Sequence, residues 1–208
     1  MRAILPTFVD TKYNIIRSQE RRLAKAVARR VVKMPDVTVW AFMIPFVFFF
    51  IFIRYRRASE TFVLNFLFTK NLALDAALDI VKGGQSRQDV LAQIDDKTQD
   101  ILTSDNKGIY SDKIRSKQMN EMNLLLGHYL KLLEAEGNSY VSLVKNAYQA
   151  RGNYEAFLHE LTAAEKAVNQ AAIQTVGATE AARELVSGME KAAGGIRIDE
   201  AEKIFAST

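Results

Sequence analysis

The chain holds two histidines, His128 and His159, and no cysteine. Thiolate zinc sites, cysteine-ligated iron–sulfur clusters and disulfides are therefore excluded. Glu155 and His159 lie one helical turn apart, a spacing that could offer a carboxylate and an imidazole to a metal or haem. A diiron carboxylate bundle needs repeated Glu-x-x-His pairs with further inward glutamates, and this i, i+4 pair has no second copy. Both histidines are expected to be satisfied or solvent-edge side chains. The acidic residues Asp89, Asp95, Asp96, Asp100 and Asp105 lack the glycine and alternating spacing of a calcium loop and suit a solvated helix face. Gly83-Gly84 and Gly194-Gly195 have neither a preceding apolar strand nor a following Lys-Ser/Thr, so they read as helix terminators and not phosphate loops. No serine or threonine is grouped with a histidine and an acid in a recognisable pattern. No catalytic, cofactor-binding or metal-ligating residue is assigned.

The elements that would have to position any such chemistry are all helical in pattern. All three prolines precede residue 46, leaving 163 residues without proline and rich in Ala, Leu, Lys and Glu. Seventeen consecutive uncharged residues, Val37 to Ile53, stand between Arg29, Arg30 and Lys33 on one side and Arg54, Arg56 and Arg57 on the other. That length is at the short end of what crosses a ~30 Å hydrocarbon core as helix. Pro45 sits at its midpoint, so the run either spans the bilayer or bends and re-enters. Trp40, Phe46, Phe48, Phe50 and Phe52 are the expected lipid or intramembrane contacts, and the six flanking cations the expected anionic-surface contacts.

Charge is segregated. Residues 1 to 53 carry nine Lys/Arg against three Asp/Glu (net +6), and the remainder nineteen against twenty-one (net −2). A helix from Asp10 or Thr11 to about Lys33 places Ile16, Leu23, Val27 and Val31 on one face and cations over much of the rest. This reads as an interfacial amphipathic helix or as a topology-setting flank. The cations lack interleaved aromatics, so nucleic-acid binding is not favoured. The positive-inside rule puts the N-terminus in the cytoplasm. A single span would export the helical residues beyond it, whereas a re-entrant run, with Arg54, Arg56 and Arg57 resisting translocation, keeps them cytoplasmic; the re-entrant arrangement is slightly preferred.

Beyond the run, Ser59 is a candidate cap for a helix through Val81, whose first half is apolar on nearly every side and calls for lipid or a partner. Ser86 with Asp89 forms a capping-box pattern for a helix to about Thr103, and Ser111 or Asp112 opens the next. Alternate steps of three and four from Met119 to Ile196 then visit 23 positions, of which only Glu136 and Thr175 are polar. Composition alone would make about half of them apolar, so this is a sustained heptad seam. A turn is expected at Gly137 and a continuous helix through Gly152, giving an antiparallel hairpin.

The sequence thus predicts an all-α protein. It divides into a basic amphipathic segment (1–36), a membrane segment with basic flank (37–57), a juxtamembrane apolar helix (58–84) and a helical bundle or coiled-coil-like domain (85–208). The expected role is a membrane-anchored, non-catalytic adaptor or accessory subunit. Its expected partners are the bilayer and a protein, or a second copy, bound through the 119–196 seam. The alternatives are a membrane-remodelling, self-assembling protein and, further off, a metal- or haem-binding bundle.

Overall fold

A computed structural model describes residues 8–32, 45–104, 110–176 and 180–206. Among these residues there are seven helices and no strands. They are α1 (Phe8–Val31), α2 (Pro45–Gly83), α3 (Arg87–Ser104), α4 (Asp112–Glu134), α5 (Tyr140–Tyr148), α6 (Arg151–Val176) and α7 (Glu180–Ala206). The all-helical expectation holds, and the helices pack as one bundle.

Local chemistry explains most of the ends. Proline lacks an N–H and is pre-set for the first helical turn, and Pro45 is the first residue of α2. Ser59, expected as a cap, lies inside α2 because nothing in Arg54–Leu64 breaks the helix. Gly84, at φ +64°, ends α2. The Ser86 hydroxyl accepts from the Asp89 N–H at 3.1 Å to start α3, and Ser111 caps α4 by accepting from the Ile114 N–H. Gly137 makes the expected turn. At φ +147° it is a backbone that only glycine adopts readily, and a Cβ there would meet the Ser142 Oγ at 2.5 Å.

The expected continuous helix through Gly152 is corrected. Gly152 itself is helical, but the chain breaks just before it, at Gln149 with φ +63°. The Ala150 N–H turns back to the Tyr148 carbonyl at 2.7 Å, and the Asn153 Nδ2 donates to the same carbonyl at 2.9 Å. Those two donors, not a glycine, terminate α5.

α4 is the central element. Met122, Leu125, Leu126, Tyr129, Leu132 and Leu133 are all essentially buried, each large side chain worth ~1.5–3 kcal/mol of burial. They pack with Leu74, Ala73 and Ala77 of α2, Leu143 and Val144 of α5, and Leu158 and Leu161 of α6. α1 runs antiparallel to α2, as the Asp10–Lys82 ion pair at one end and the contacts of Ala24 and Ala28 with Val63 and Leu67 at the other require. It is also antiparallel to α7, with Leu23 and Val27 on Ala192 and Ala193. The apolar stripe of α1, which could have met a leaflet, is therefore filled by α2 and α7. Its cations Arg17, Arg21, Arg22, Lys25, Arg29 and Arg30 remain exposed.

The heptad seam forms the interior of this bundle. Among its positions with described side chains, only Glu136, Ala150 and Leu185 are exposed; Ala178 and Ala182 lie outside that description. The seam does not form one long hairpin. It runs through α4, the short α5, α6 and α7, with α6 antiparallel to both α4 and α7 (Ser111 meets Thr175; Asn169 meets Glu190).

Among the described residues, no helix is long and apolar enough to cross a membrane. α2 contains residues 45 to 53 of the apolar run, about 14 Å of helix, before Arg54 interrupts it. The rest of the run, and the candidates Lys33 and Trp40, lie outside the described residues.

Candidate functional site

Four helices send charged side chains into the bundle interior. Arg197 of α7, 5% exposed, grips Glu165 of α6 with both terminal nitrogens, at 2.6 and 2.7 Å. Lys70 of α2, 2% exposed, stands 3.3 Å from Glu165 and 3.7 Å from Glu20 of α1. The buried Tyr129 hydroxyl donates to Glu20 at 2.9 Å. Beyond it, Gln19 contacts both Glu200 and Arg22. A bidentate Arg–carboxylate pair offsets much of the desolvation such groups suffer, whereas a single missing partner leaves a charge stranded.

These contacts set the titration behaviour. Burial pushes Glu165 up, but Arg197 and Lys70 outweigh it and hold the carboxyl at about 2. Burial drives Tyr129 well above its ordinary value, with the Glu20 carboxylate adding to the effect. A cavity of about 20 Å³ lies among Glu20, Lys70, Tyr140, Tyr154 and Arg197, room for a single water with polar partners on several sides.

Glu121 of α4 is different. It is 7% exposed and, among the described residues, its carboxyl makes no hydrogen bond and no ion pair. Burial is the main cause that lifts it to about 7; Glu165 raises it further, and Lys70 and Arg197 oppose. Glu121 lines a second cavity of about 330 Å³ between α2, α4, α6 and α7, whose wall includes the stacked rings of Phe62 and Phe66.

His128 sits in an aromatic nest. Its ring stacks on Phe157 with centroids 4.3 Å apart, and its Nδ1 shares a 2.7 Å hydrogen bond with the Tyr148 hydroxyl. Burial, reinforced by Lys70, Arg197 and Lys131, lowers it to about 3, so the ring is neutral. His159 is exposed, and its neighbour Glu155 pairs with Arg151 at 2.7 Å. Among the described residues, no group of three or more His, Asp or Glu side chains converges as a metal site. Asp95 of the acidic cluster pairs with Arg115 at 2.7 Å, Asp96 and Asp100 are exposed, and Asp105 lies outside the described residues.

Of the surface candidates, Arg29, Arg30 and Arg57 are exposed. Because α1 and α2 are antiparallel, all three sit at the end of the bundle where the helix carrying the apolar run enters. Arg54, Arg56, Phe46, Phe48, Phe50 and Phe52 lie on the helical backbone of α2. The sequence pattern did not disclose the interior cluster. Its one visible signal is Lys70, the lone charge in the apolar stretch Thr61–Leu74, a placement that calls for a buried partner. Compared with known proteins, the chain matches no family model, no curated protein sequence and no solved structure.

Proposed function

We propose that the protein is a membrane-anchored, non-catalytic helical adaptor or accessory subunit, held at the bilayer by the apolar run and its cationic borders. The observation that carries this reading is the continuity of α2. One helix begins inside the apolar run at Pro45 and, about five turns later, supplies Val63, Leu67 and Leu74 to the bundle core. The exposed Arg29, Arg30 and Arg57 at that end of the bundle suit an anionic leaflet, where each cation is worth ~1 kcal/mol. With the seam filled within the chain, protein contact in this reading uses the outward face of α2. There Leu64 and Phe68, one turn apart, are 69% and 56% exposed.

Three sets of measurements test it. The full chain is expected to float with liposomes and to resist alkaline extraction. A triple Arg29→Glu, Arg30→Glu, Arg57→Glu variant is expected to bind anionic vesicles at least tenfold more weakly while keeping its helicity. Single cysteines at the exposed Ser18 and Ser139, labelled by an impermeant maleimide in intact and permeabilised cells, report the side on which the bundle lies. Protection of both until permeabilisation is expected for a bundle held at the cytoplasmic face. A chain that stays in the supernatant without lipid or detergent overturns the reading.

A further inference from the structure

The 330 Å³ cavity between α2, α4, α6 and α7 carries an inference that does not depend on membrane attachment. We infer that it is a binding site for a small organic cation, an ammonium group on an apolar body, with the Glu121 carboxylate as counter-ion and the Phe62 and Phe66 rings enclosing the apolar part.

Three observations converge on that chemistry. First, the described residues lining the cavity include three carboxylates, Glu121, Glu165 and Glu190, and no cation. Glu165 is taken up by Arg197 and Lys70, and Glu190 accepts from the Asn169 Nδ2 at 3.0 Å. Glu121 alone of the three makes no hydrogen bond and no ion pair, although the residue is only 7% exposed, and Lys70 and Arg197 act on it only at longer range. A buried carboxylate in that state is costly unless something pairs with it. Second, the Phe62 and Phe66 rings, with centroids 5.9 Å apart and planes within 19°, present aromatic surface to the same space. Cations are attracted to the faces of such rings; the Lys70 Nζ already stands 5.6 Å from the Phe66 centroid, which leaves the Phe62 ring as the main aromatic surface for a ligand. Third, the volume is that of an ordinary small-molecule site, apolar in the main with a few placed polar groups. Asn65 and Thr69 stand on the α2 wall as further hydrogen-bonding groups.

Anions are disfavoured, because they would meet three acids. A bare metal ion would find one free carboxylate and two phenyl rings.

The pH response is set by the groups that face Glu121: Lys70 from α2, Glu165 from α6, and Arg197 and Glu190 from α7. Glu165, held at about 2, keeps its charge across the neutral range, so Glu121, at about 7, is the group that titrates there. The binding-competent ionised form is about 90% populated at pH 8 and about 10% at pH 6, and apparent affinity scales with that fraction.

The test is calorimetric titration of the full chain, in a non-ionic detergent, with 2-phenylethylammonium and its neutral analogue 2-phenylethanol. The ammonium is expected to bind at least tenfold more tightly than the alcohol at pH 8. Its affinity should fall about tenfold between pH 8 and pH 6, and it should be lost in Glu121→Gln. Because that variant alters a buried side chain, Val168→Phe, which fills the cavity and leaves Glu121 in place, is measured beside it and is also expected to abolish binding while the helical circular dichroism is retained. Equal binding of amine and alcohol, no binding of the amine to the wild-type chain, or unchanged amine binding by Glu121→Gln each overturns the inference.

Discussion

Replacing Glu121 with glutamine should change the shape of the stability–pH curve, because two buried groups in this bundle titrate in opposition. Glu121 moves from 4.5 in the unfolded chain to about 7 in the folded one. Between those values the native state holds a proton that the unfolded state has released, so stability falls as pH rises, by about 1.4 kcal/mol per pH unit and about 3 kcal/mol in total. His128 moves from 6.5 down to about 3. Between those values the unfolded chain holds the extra proton, so stability rises with pH at the same rate. From pH 4.5 to 6.5 the two slopes cancel, and the wild-type chain should show little dependence from this pair.

Glu121→Gln removes one of them. The variant should lose about 3 kcal/mol as pH drops from 6.5 to 4.5, a loss the wild-type chain escapes, and should exceed wild-type stability by up to about 3 kcal/mol at pH 8, where the unpaired carboxylate is most costly. His128→Gln should unmask the opposite slope, whatever its pH-independent cost. The assay is urea unfolding of the full chain in a non-ionic detergent, followed by far-ultraviolet circular dichroism at half-unit steps from pH 4.5 to 8. A difference between wild type and Glu121→Gln that stays constant over that range would refute the argument, since it would mean that Glu121 ionises alike in the folded and unfolded chains.

Arg197→Met should cost roughly 3–5 kcal/mol, because it strands Glu165 beside the cavity with only Lys70 in reach; adding Glu165→Gln should recover a large part, as read by the shift in unfolding midpoint. Gln149→Gly should stabilise the fold by about 1 kcal/mol, since glycine accepts the positive φ that glutamine bears with strain, and a rise in the thermal midpoint checks it. Tyr148→Phe should cost about 1–3 kcal/mol, by leaving the buried Nδ1 of His128 without its hydroxyl partner, with the imidazole resonances in NMR reporting the lost hydrogen bond.

Legibility from sequence divided along a physical line. Some caps and turns that rest on one or two neighbouring residues could be read directly: Ser86 with Asp89, Ser111, Gly84 and Gly137 act where local chemistry assigns them, whereas Gly194-Gly195, expected to end a helix, lies inside α7, and Ser59, expected to start one, lies inside α2. The heptad seam could be read as a buried surface, since a face that is apolar at nearly every third or fourth position must be covered. What covers it could not, because the same pattern suits a partner chain or a chain folded on itself. The break at Gln149 was hidden for a related reason. It is made by Asn153 and Ala150 reaching back to the Tyr148 carbonyl, and the seam keeps its phase across the gap. The interior charges were hidden by their position beside the seam. Glu121, Glu165 and Arg197 each adjoin a seam residue, Met122, Ala164 and Ile196, and a charged neighbour of an apolar position is ordinarily a solvated flank. Only the convergence of four helices turns these flanks inward.

The unbroken course of α2 has a mechanical consequence. Its 39 residues make a rod of about 58 Å, with no glycine before Gly83 and no proline after Pro45 to act as a hinge. A rod of that length is a lever: a change of tilt of about 5° at its apolar end displaces the opposite end by about 5 Å. Packed along α1 and α4, it would convert a change in tilt into sliding between helices. Lys70 lies on this lever, so the same movement would shift the ammonium group that helps keep Glu165 charged.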